Sequence, residues 1–198
     1  MNHQHLPHLD LAQYYPFITF RTAESTDSFL QSLVLQNKPN GEKQLEGDHY
    51  LDRSTKGAFL KGDVLCYLND FLKMRRNDLY ELVAFSVMPN HVHLLARPQV
   101  KLSLMMQKIK GSSAKAINER LRMSGQFWAK DYYDKAIRDE KHFSLVYQYI
   151  KNNPLKLNEP KNSIPRFYGV YENCEAKASL PPGTRALAPQ ESREKDFQ

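Results

Sequence analysis

The chain has 198 residues, of which 41% are hydrophobic and 25% charged, as in a soluble globular protein of one domain. No apolar run approaches the ~20 residues of a membrane helix, and the N-terminus does not resemble a signal peptide, so no membrane partner is expected. The formal charge of +6 favours a polyanionic partner, nucleic acid before a membrane surface. Cys66 and Cys174 do not have the close spacing of cysteine pairs that bind a metal ion. We expect both to be reduced thiols in a cytoplasmic protein.

The first part of the chain predicts a strand, a helix and a loop. Residues 14–22 (YYPFITFRT) are rich in aromatic and β-branched residues and predict a strand. Helix-capping candidates at 25–28 precede FLQSLVLQ, which predicts a helix. Residues 37–48 are polar and contain Gly and Pro, so they predict a loop.

The middle of the chain predicts helices followed by a hairpin. Between residues 50 and 76 apolar side chains recur at helical intervals, and two glycines divide the segment into two short helices. Residues 79–88 and 91–97 predict two strands, and Pro89–Asn90 supplies the tight turn between them.

The second half predicts two helices on either side of a short strand. Residues 103–123 carry a regular apolar stripe, and a glycine follows the end of the pattern. YYDKAI (132–137) predicts a strand. Residues 139–152 predict a helix that begins with two acidic residues and is stopped by Pro154.

The order of these elements predicts the fold class. Strands and helices alternate through short turns, which favours an α+β fold with a mainly antiparallel sheet. Residues 1–171 are expected to form a single domain. Residues 172–198 are rich in Ala, Pro, Glu and Lys without periodicity, and we expect a disordered tail there.

Two histidines share one face of the strand after the turn. Side chains alternate along a strand, so His91 and His93 point the same way while Val92 points to the opposite face. Two neutral imidazoles on one surface suit a divalent ion of the transition type. The alternative is a pair of partly buried histidines whose nitrogens are satisfied by hydrogen bonds.

The last predicted helix places a tyrosine and an asparagine on one face. Tyr149 and Asn153 are four residues apart, whereas Tyr147 lies about 200° around the helix from Tyr149. A nucleophile and a metal ligand are one interpretation of this pair. A half-buried aromatic residue followed by a helix stop is the other.

The helix over 101–122 is strongly basic and has one acidic residue, Glu119. Lys108, Lys115 and Arg122 repeat every seven residues and form a stripe opposite the apolar one. Such a stripe is either a solvated face or a contact for a DNA backbone. Tyr132 could stack on unpaired bases or pack in the core.

Four segments together carry a resemblance to a known family. MPNHVHLL, the basic helix, FWAKDYYDKAIRDEKHF and YIKNNPLK follow one another in the order found in the single-tyrosine HUH transposases. They resemble most closely the REP-associated tyrosine transposases, over roughly residues 15–157. The long segment 37–76 departs from the family pattern, and we expect it to be an expanded helical part of the domain.

The resemblance implies a ferredoxin-like HUH domain, an α+β fold with a central antiparallel sheet flanked by helices. It implies that Tyr149 is the nucleophile and that His91, His93 and Asn153 bind Mg²⁺ or Mn²⁺. The reaction would be nicking and strand transfer of single-stranded or hairpin DNA through a 5′-phosphotyrosine, by a monomer or a homodimer. The DNA contacts expected beside this site are Lys108, Lys110, Lys115, Arg122 and Tyr132.

Two other functions stay open at this stage. A domesticated relative could bind a DNA hairpin without turning it over. A simple metal hydrolase could use the two histidines, although the sequence lacks an evident carboxylate-rich partner motif and hydrolysis does not need Tyr149. A covalent adduct between protein and DNA separates the transposase from both alternatives.

Overall fold

The structure is a computed structural model that describes residues 15–25, 28–75 and 78–170, apart from the side chain of Val34. The expected tail at 172–198 lies outside the described residues. Within them, no helix combines the length and the apolar character needed to cross a membrane.

A five-stranded antiparallel sheet forms the centre of the fold. Its strands lie in the order β4-β1-β3-β2-β5, and the first four follow the arrangement of a ferredoxin-like βαββαβ unit. The predicted α+β class and antiparallel sheet are confirmed. The strands are β1 (Pro16–Arg21), β2 (Tyr80–Val87), β3 (His91–Pro98), β4 (Tyr133–Ala136) and β5 (Phe167–Gly169). The sequence did not predict the short β5.

Five α-helices connect and flank the strands in the described residues. Short 3₁₀ segments at Ala23–Ser25 and Asn153–Leu157 also lie among the described residues. The predicted helix stop is confirmed, because the last α-helix ends at Asn152 and Pro154 lies in the 3₁₀ segment that follows it directly. The helices are α1 (Ser28–Leu35), α2 (Asn40–Arg53), α3 (Gly62–Met74), α4 (Leu102–Leu121) and α5 (Glu140–Asn152).

The two faces of the sheet carry separate parts of the core. Val92 and Leu94 belong to the large cluster formed with the apolar residues of α3 and α4. Leu95 belongs to a second cluster, which includes Phe143 and Ile150 of α5. Because side chains alternate along β3, the two histidines lie on the α5 side of the sheet. Helix α4 therefore packs on the sheet face opposite the histidines.

The prediction of a loop over 37–48 is wrong, because helix α2 occupies residues 40–53. The inward face of α2 contains Gly47, Asp48 and Leu51, which do not form an apolar stripe. Leu51 packs in a small cluster with Leu30 and Leu33 of α1. A helix that buries a glycine and a carboxylate produces almost no periodic hydrophobic signal, which is why the sequence pattern missed it.

Candidate active site

The two histidines of β3 are completely buried. Burial, followed by the positive charges of Lys156 and Arg21, lowers the pKa of His91 to about 3. Burial and the neighbouring His91 lower the pKa of His93 well below its usual value. Both imidazoles are therefore neutral at physiological pH, which is the form that binds a metal ion.

The turn residue Asn90 determines which nitrogen of His91 carries the proton. The Asn90 Nδ2 amide donates to the backbone oxygens of Leu51, Ser54 and Lys56 at 3.1–3.3 Å. Its Oδ1 must therefore accept from His91 Nδ1, which lies 2.8 Å away. This hydrogen bond leaves a lone pair on His91 Nε2. Asn90 thus connects the segment after α2 to the orientation of a histidine.

The Nε2 atoms of His91 and His93 lie 3.1 Å apart. The Nδ1 atom of His93 is 2.8 Å from the hydroxyl of Thr19, which can either donate or accept a hydrogen bond. His93 Nε2–H can donate to the lone pair of His91 Nε2. For both Nε2 atoms to hold an ion, the His93 proton would have to lie on Nδ1, where the Thr19 hydroxyl would accept it. The short separation would allow both Nε2 atoms to bind the same divalent ion.

Tyr149 of α5 lies directly against this pair. Its ring centroid is 5.3 Å from that of His93 and 5.8 Å from that of Phe17. Its hydroxyl donates to Asp48 Oδ2 at 2.8 Å. Burial and the Asp48 carboxylate raise the pKa of Tyr149 far above its usual value. Tyr147 instead packs in the core against Phe167, so the two tyrosines point away from each other as the helical spacing predicted.

Asp48 is the site residue that sequence reasoning missed. It is 2% exposed, and its Oδ1 accepts from Gln44 at 2.6 Å. One ligand atom each from Asp48, His91 and His93 lie within 4.8 Å of one another. Burial raises the pKa of Asp48 to about 7, and the Tyr149 hydrogen bond opposes that rise. Two neutral nitrogens and a carboxylate oxygen form a donor set that fits a divalent ion such as Mn²⁺.

Asn153 was the third ligand expected from the family resemblance. It begins the 3₁₀ segment after α5 and is 1% exposed. Neither atom of its amide has a hydrogen-bond partner among the described residues. The amide lies near the Tyr149 hydroxyl without a hydrogen bond of normal geometry, and it slightly opposes the rise in the pKa of Tyr149. A buried amide without partners is costly, so a ligand for its oxygen would satisfy it.

A second carboxylate on α2, Asp52, borders the site. Its Oδ2 accepts from Lys156 at 2.6 Å, and Lys156 Nζ lies 5.5 Å from the centroid of the Tyr149 ring. Its Oδ1 is 3.8 Å from His91 Nε2, which is not an ion pair because His91 is neutral. Residues 48 and 52 are one turn apart, so α2 places both carboxylates on the face that covers the histidines.

The predicted DNA contacts do not join this cluster. Lys108, Lys115 and Arg122 are exposed. The first two lie on α4 and Arg122 caps its C-terminal end, and α4 packs on the sheet face opposite the histidines. Lys110 donates to the Lys130 backbone oxygen at 2.6 Å and lies over the Tyr132 ring. Tyr132 is 7% exposed within the large core cluster. Its expected stacking on bases is corrected to core packing, since the ring is covered.

Asn90→Ala should reduce the free energy of unfolding by about 2–3 kcal/mol, because it removes the hydrogen bonds that a completely buried amide makes to His91 and to three backbone oxygens. Urea denaturation measures the change. As a control, Asn118→Ala removes one exposed donation to the Gly125 oxygen and should cost less than about 1 kcal/mol. Equal effects of the two substitutions would contradict the central role of Asn90.

A ferredoxin-like sheet with a buried histidine pair on its central strand and a tyrosine on the adjoining helix defines the class of single-tyrosine HUH transposases that the sequence resembles. A family model described as "Transposase IS200 like" matches residues 55–153, half of the chain. The chain belongs to this family.

An individual relative matches part of the chain. An uncharacterized protein of Haemophilus influenzae is 28% identical over 94 residues, which cover 36% of this chain. The alignment spans only about half, 52%, of that relative.

Solved structures also match the chain, among them the following two. One is a REP-associated tyrosine transposase bound to a REP hairpin, with 14% identity and a TM-score of 0.48 over 94% of this chain and 100% of that one. The other, described as a candidate transposase from Deinococcus radiodurans, shows 20% identity and a TM-score of 0.42 over 77% and 96% of the two chains.

Proposed function

We propose that the protein nicks single-stranded DNA and transfers the strand through a covalent bond to Tyr149. One observation carries this proposal: β3 and α5 bring the Tyr149 hydroxyl and the histidine pair into one buried cluster with Asp48. A structural tyrosine would not need a metal-binding donor set beside its hydroxyl. Membership of the IS200-like transposase family supports the same reaction class.

The reaction exchanges one phosphodiester for another. The Tyr149 oxygen attacks the scissile phosphorus, the bond from phosphorus to the 3′ oxygen breaks, and a 5′-phosphotyrosine forms. The hydroxyl proton passes to Asp48 Oδ2, the acceptor 2.8 Å away. The leaving 3′ oxygen takes a proton from solvent and becomes a free 3′-OH. A second 3′-OH can reverse the step, so rejoining requires no ATP.

The metal-binding residues act on the phosphate. His91, His93 and Asp48 would hold the ion, with the orphaned amide of Asn153 as a further ligand. A bound Mg²⁺ or Mn²⁺ polarises the scissile phosphate and neutralises charge that develops on it. Nitrogen ligands favour Mn²⁺ intrinsically, whereas abundance in the cytoplasm, the expected location, favours Mg²⁺.

The decisive experiment is a search for the covalent adduct. Purified protein is incubated with Mn²⁺ and a single-stranded oligonucleotide that contains a hairpin taken from beside its own gene. A matched oligonucleotide with a scrambled stem tests the hairpin preference that the family resemblance implies. We expect an adduct that survives denaturation and a shortened DNA with a free 3′-OH. Nicking with no adduct under any metal condition would overturn the proposal.

A metal-dependent hydrolase is the second candidate, because the structure supplies the carboxylate that the sequence did not reveal. Asp48 completes a donor set of two histidines and one acid, which a water-activating site could use. The same adduct experiment distinguishes the two functions. A hydrolase releases both DNA fragments free, and its activity survives the loss of the Tyr149 hydroxyl.

The basic stripe is proposed to bind DNA away from the scissile phosphate. Replacing Lys108, Lys115 and Arg122 together by Ala should weaken DNA binding and flatten its salt dependence. The slope of log affinity against log salt should fall by about 0.7 for each lost contact to a single-stranded phosphate. A control variant replaces three other exposed lysines, Lys38, Lys61 and Lys161. Equal slopes for the two variants would show that the stripe only faces solvent.

A further inference from the structure

We propose that Asp48 joins the nucleophile to the metal centre. One lone pair of its carboxylate accepts the hydrogen bond from the Tyr149 hydroxyl, and another would bind the ion. This inference rests on the proposed function and assigns helix α2 to the active site. The family match begins at residue 55, after α2 ends at Arg53. Asp48 therefore lies outside the segment that the family model matches.

The hydrogen bonds of Asp48 leave room for an ion. A carboxylate offers about four lone-pair sites, and the contacts found here use two of them, one for Tyr149 and one for Gln44. One oxygen of Asp48 also lies within 4.8 Å of a ring nitrogen of each histidine. An ion at this position would take a remaining lone pair without displacing either hydrogen bond.

Two further residues beside this cluster have buried polar atoms that a ligand could satisfy. Both amide atoms of Asn153 and the Oδ1 atom of Asp52 are buried without a hydrogen-bond partner among the described residues. Such atoms normally have a partner in the protein, in water or in an ion. Asp52 Oδ1 lies 3.8 Å from His91 Nε2, and the Asn153 amide lies near the Tyr149 hydroxyl. A cation held by Asp48 and the histidines would therefore lie close to both groups.

A carboxylate changes what the centre does to its substrate. With histidines and an amide alone, the ligands are neutral. Asp48 adds one negative charge, which raises affinity for the ion in a buried, weakly screened site. It also fixes the position of the Tyr149 oxygen relative to the ion. Binding of the ion and orientation of the nucleophile therefore depend on one side chain. Asp48 is thus a metal ligand and a positioning residue, in addition to being the acceptor of the Tyr149 proton.

The test measures metal binding before activity. Free Mn²⁺ is followed by electron paramagnetic resonance as it is titrated into the wild-type protein, Asp48→Asn and Glu46→Gln. Asp48→Asn keeps the size and an acceptor for Tyr149 but loses the charge, and it should weaken Mn²⁺ binding at least tenfold. Glu46→Gln removes the same charge from an outward position on the same helix, where Glu46 pairs with Lys38. It should match the wild type within about twofold.

Kinetics and a conservative variant test the positioning role. Asp48→Asn should lower kcat for adduct formation at saturating Mn²⁺ while KM for DNA stays unchanged, and Asp48→Glu should recover part of the Mn²⁺ affinity. Circular dichroism confirms that each variant is folded. Wild-type affinity for Mn²⁺ in folded Asp48→Asn overturns this inference and leaves the proposed function intact. Adduct formation by the wild type without any measurable Mn²⁺ binding overturns the metal role itself.

Discussion

Tyr149→Phe is expected to remove both the DNA adduct and the nicked product completely, because the substitution deletes the attacking oxygen. The ring contacts with Phe17 and His93 remain, so packing is preserved. The hydrogen bond to Asp48 is lost, and the stability should change by about 1 kcal/mol. DNA affinity should stay nearly unchanged, since it depends on many contacts with the backbone. Denaturing gels and a fluorescence-anisotropy titration measure the two effects separately.

Tyr147→Phe is the matched control. Tyr147 lies two residues earlier on the same helix, and its ring is buried against Phe167, away from the histidines. Chemistry should therefore continue in this variant. Mass spectrometry of the trapped adduct should map the phosphotyrosine peptide to Tyr149. A map to Tyr147, Tyr132 or Tyr133 would contradict the site geometry even though the family assignment would stand.

The parts of the site that lie on regular, periodic elements could be predicted from the sequence. Alternation along β3 placed His91 and His93 on one face, and the structure finds both there. The four-residue spacing at the end of the last helix placed Tyr149 and Asn153 together, and in the structure Tyr149 lies against His93 while the Asn153 amide lies near the Tyr149 hydroxyl. Local geometry determines these relations, because residues of one strand or helix keep fixed directions.

The contribution of α2 could not be predicted in this way. Asp48 is 101 residues from Tyr149 in the chain, and no local rule relates them. Its helix lacks an apolar stripe, so the segment was interpreted as a loop. Asn90 was recognised only as a turn residue, although its side chain joins three backbone carbonyls to His91. Both roles depend on tertiary contacts that bring distant segments together.

One signal in the sequence was available for α2. Gln44, Asp48 and Asp52 repeat every four residues, which places three polar side chains on one helical face. Such a pattern normally indicates a solvated face. Here it covers a polar site, and Asp48 is buried while Asp52 bonds Lys156. A helix face that covers a polar site is buried although its side chains are polar. The repeat of polar residues therefore indicates a buried face only once the helix is known to lie beside the histidines.

His91→Ala and His93→Ala should each reduce cleavage by about 10³-fold or more. Charge stabilisation by a metal is worth several kcal/mol, and about 1.4 kcal/mol corresponds to a factor of ten in rate. Each substitution removes one of the converging nitrogens and leaves a small cavity, so a moderate loss of stability is also expected, about 1–3 kcal/mol. Cleavage is therefore measured at a temperature well below the midpoint of thermal unfolding of each variant. In anisotropy titrations, each alanine variant should bind hairpin DNA nearly as well as the wild type does.

Thr19→Val serves as a milder variant, because it removes the hydroxyl that holds His93 Nδ1 but keeps both imidazoles. Its cleavage should fall about 10–100-fold, as is usual when a partner of a metal ligand is lost, and added Mn²⁺ should restore part of it. Cleavage by the wild type in excess chelator, or full activity of either alanine variant, would contradict a metal role for the histidine pair.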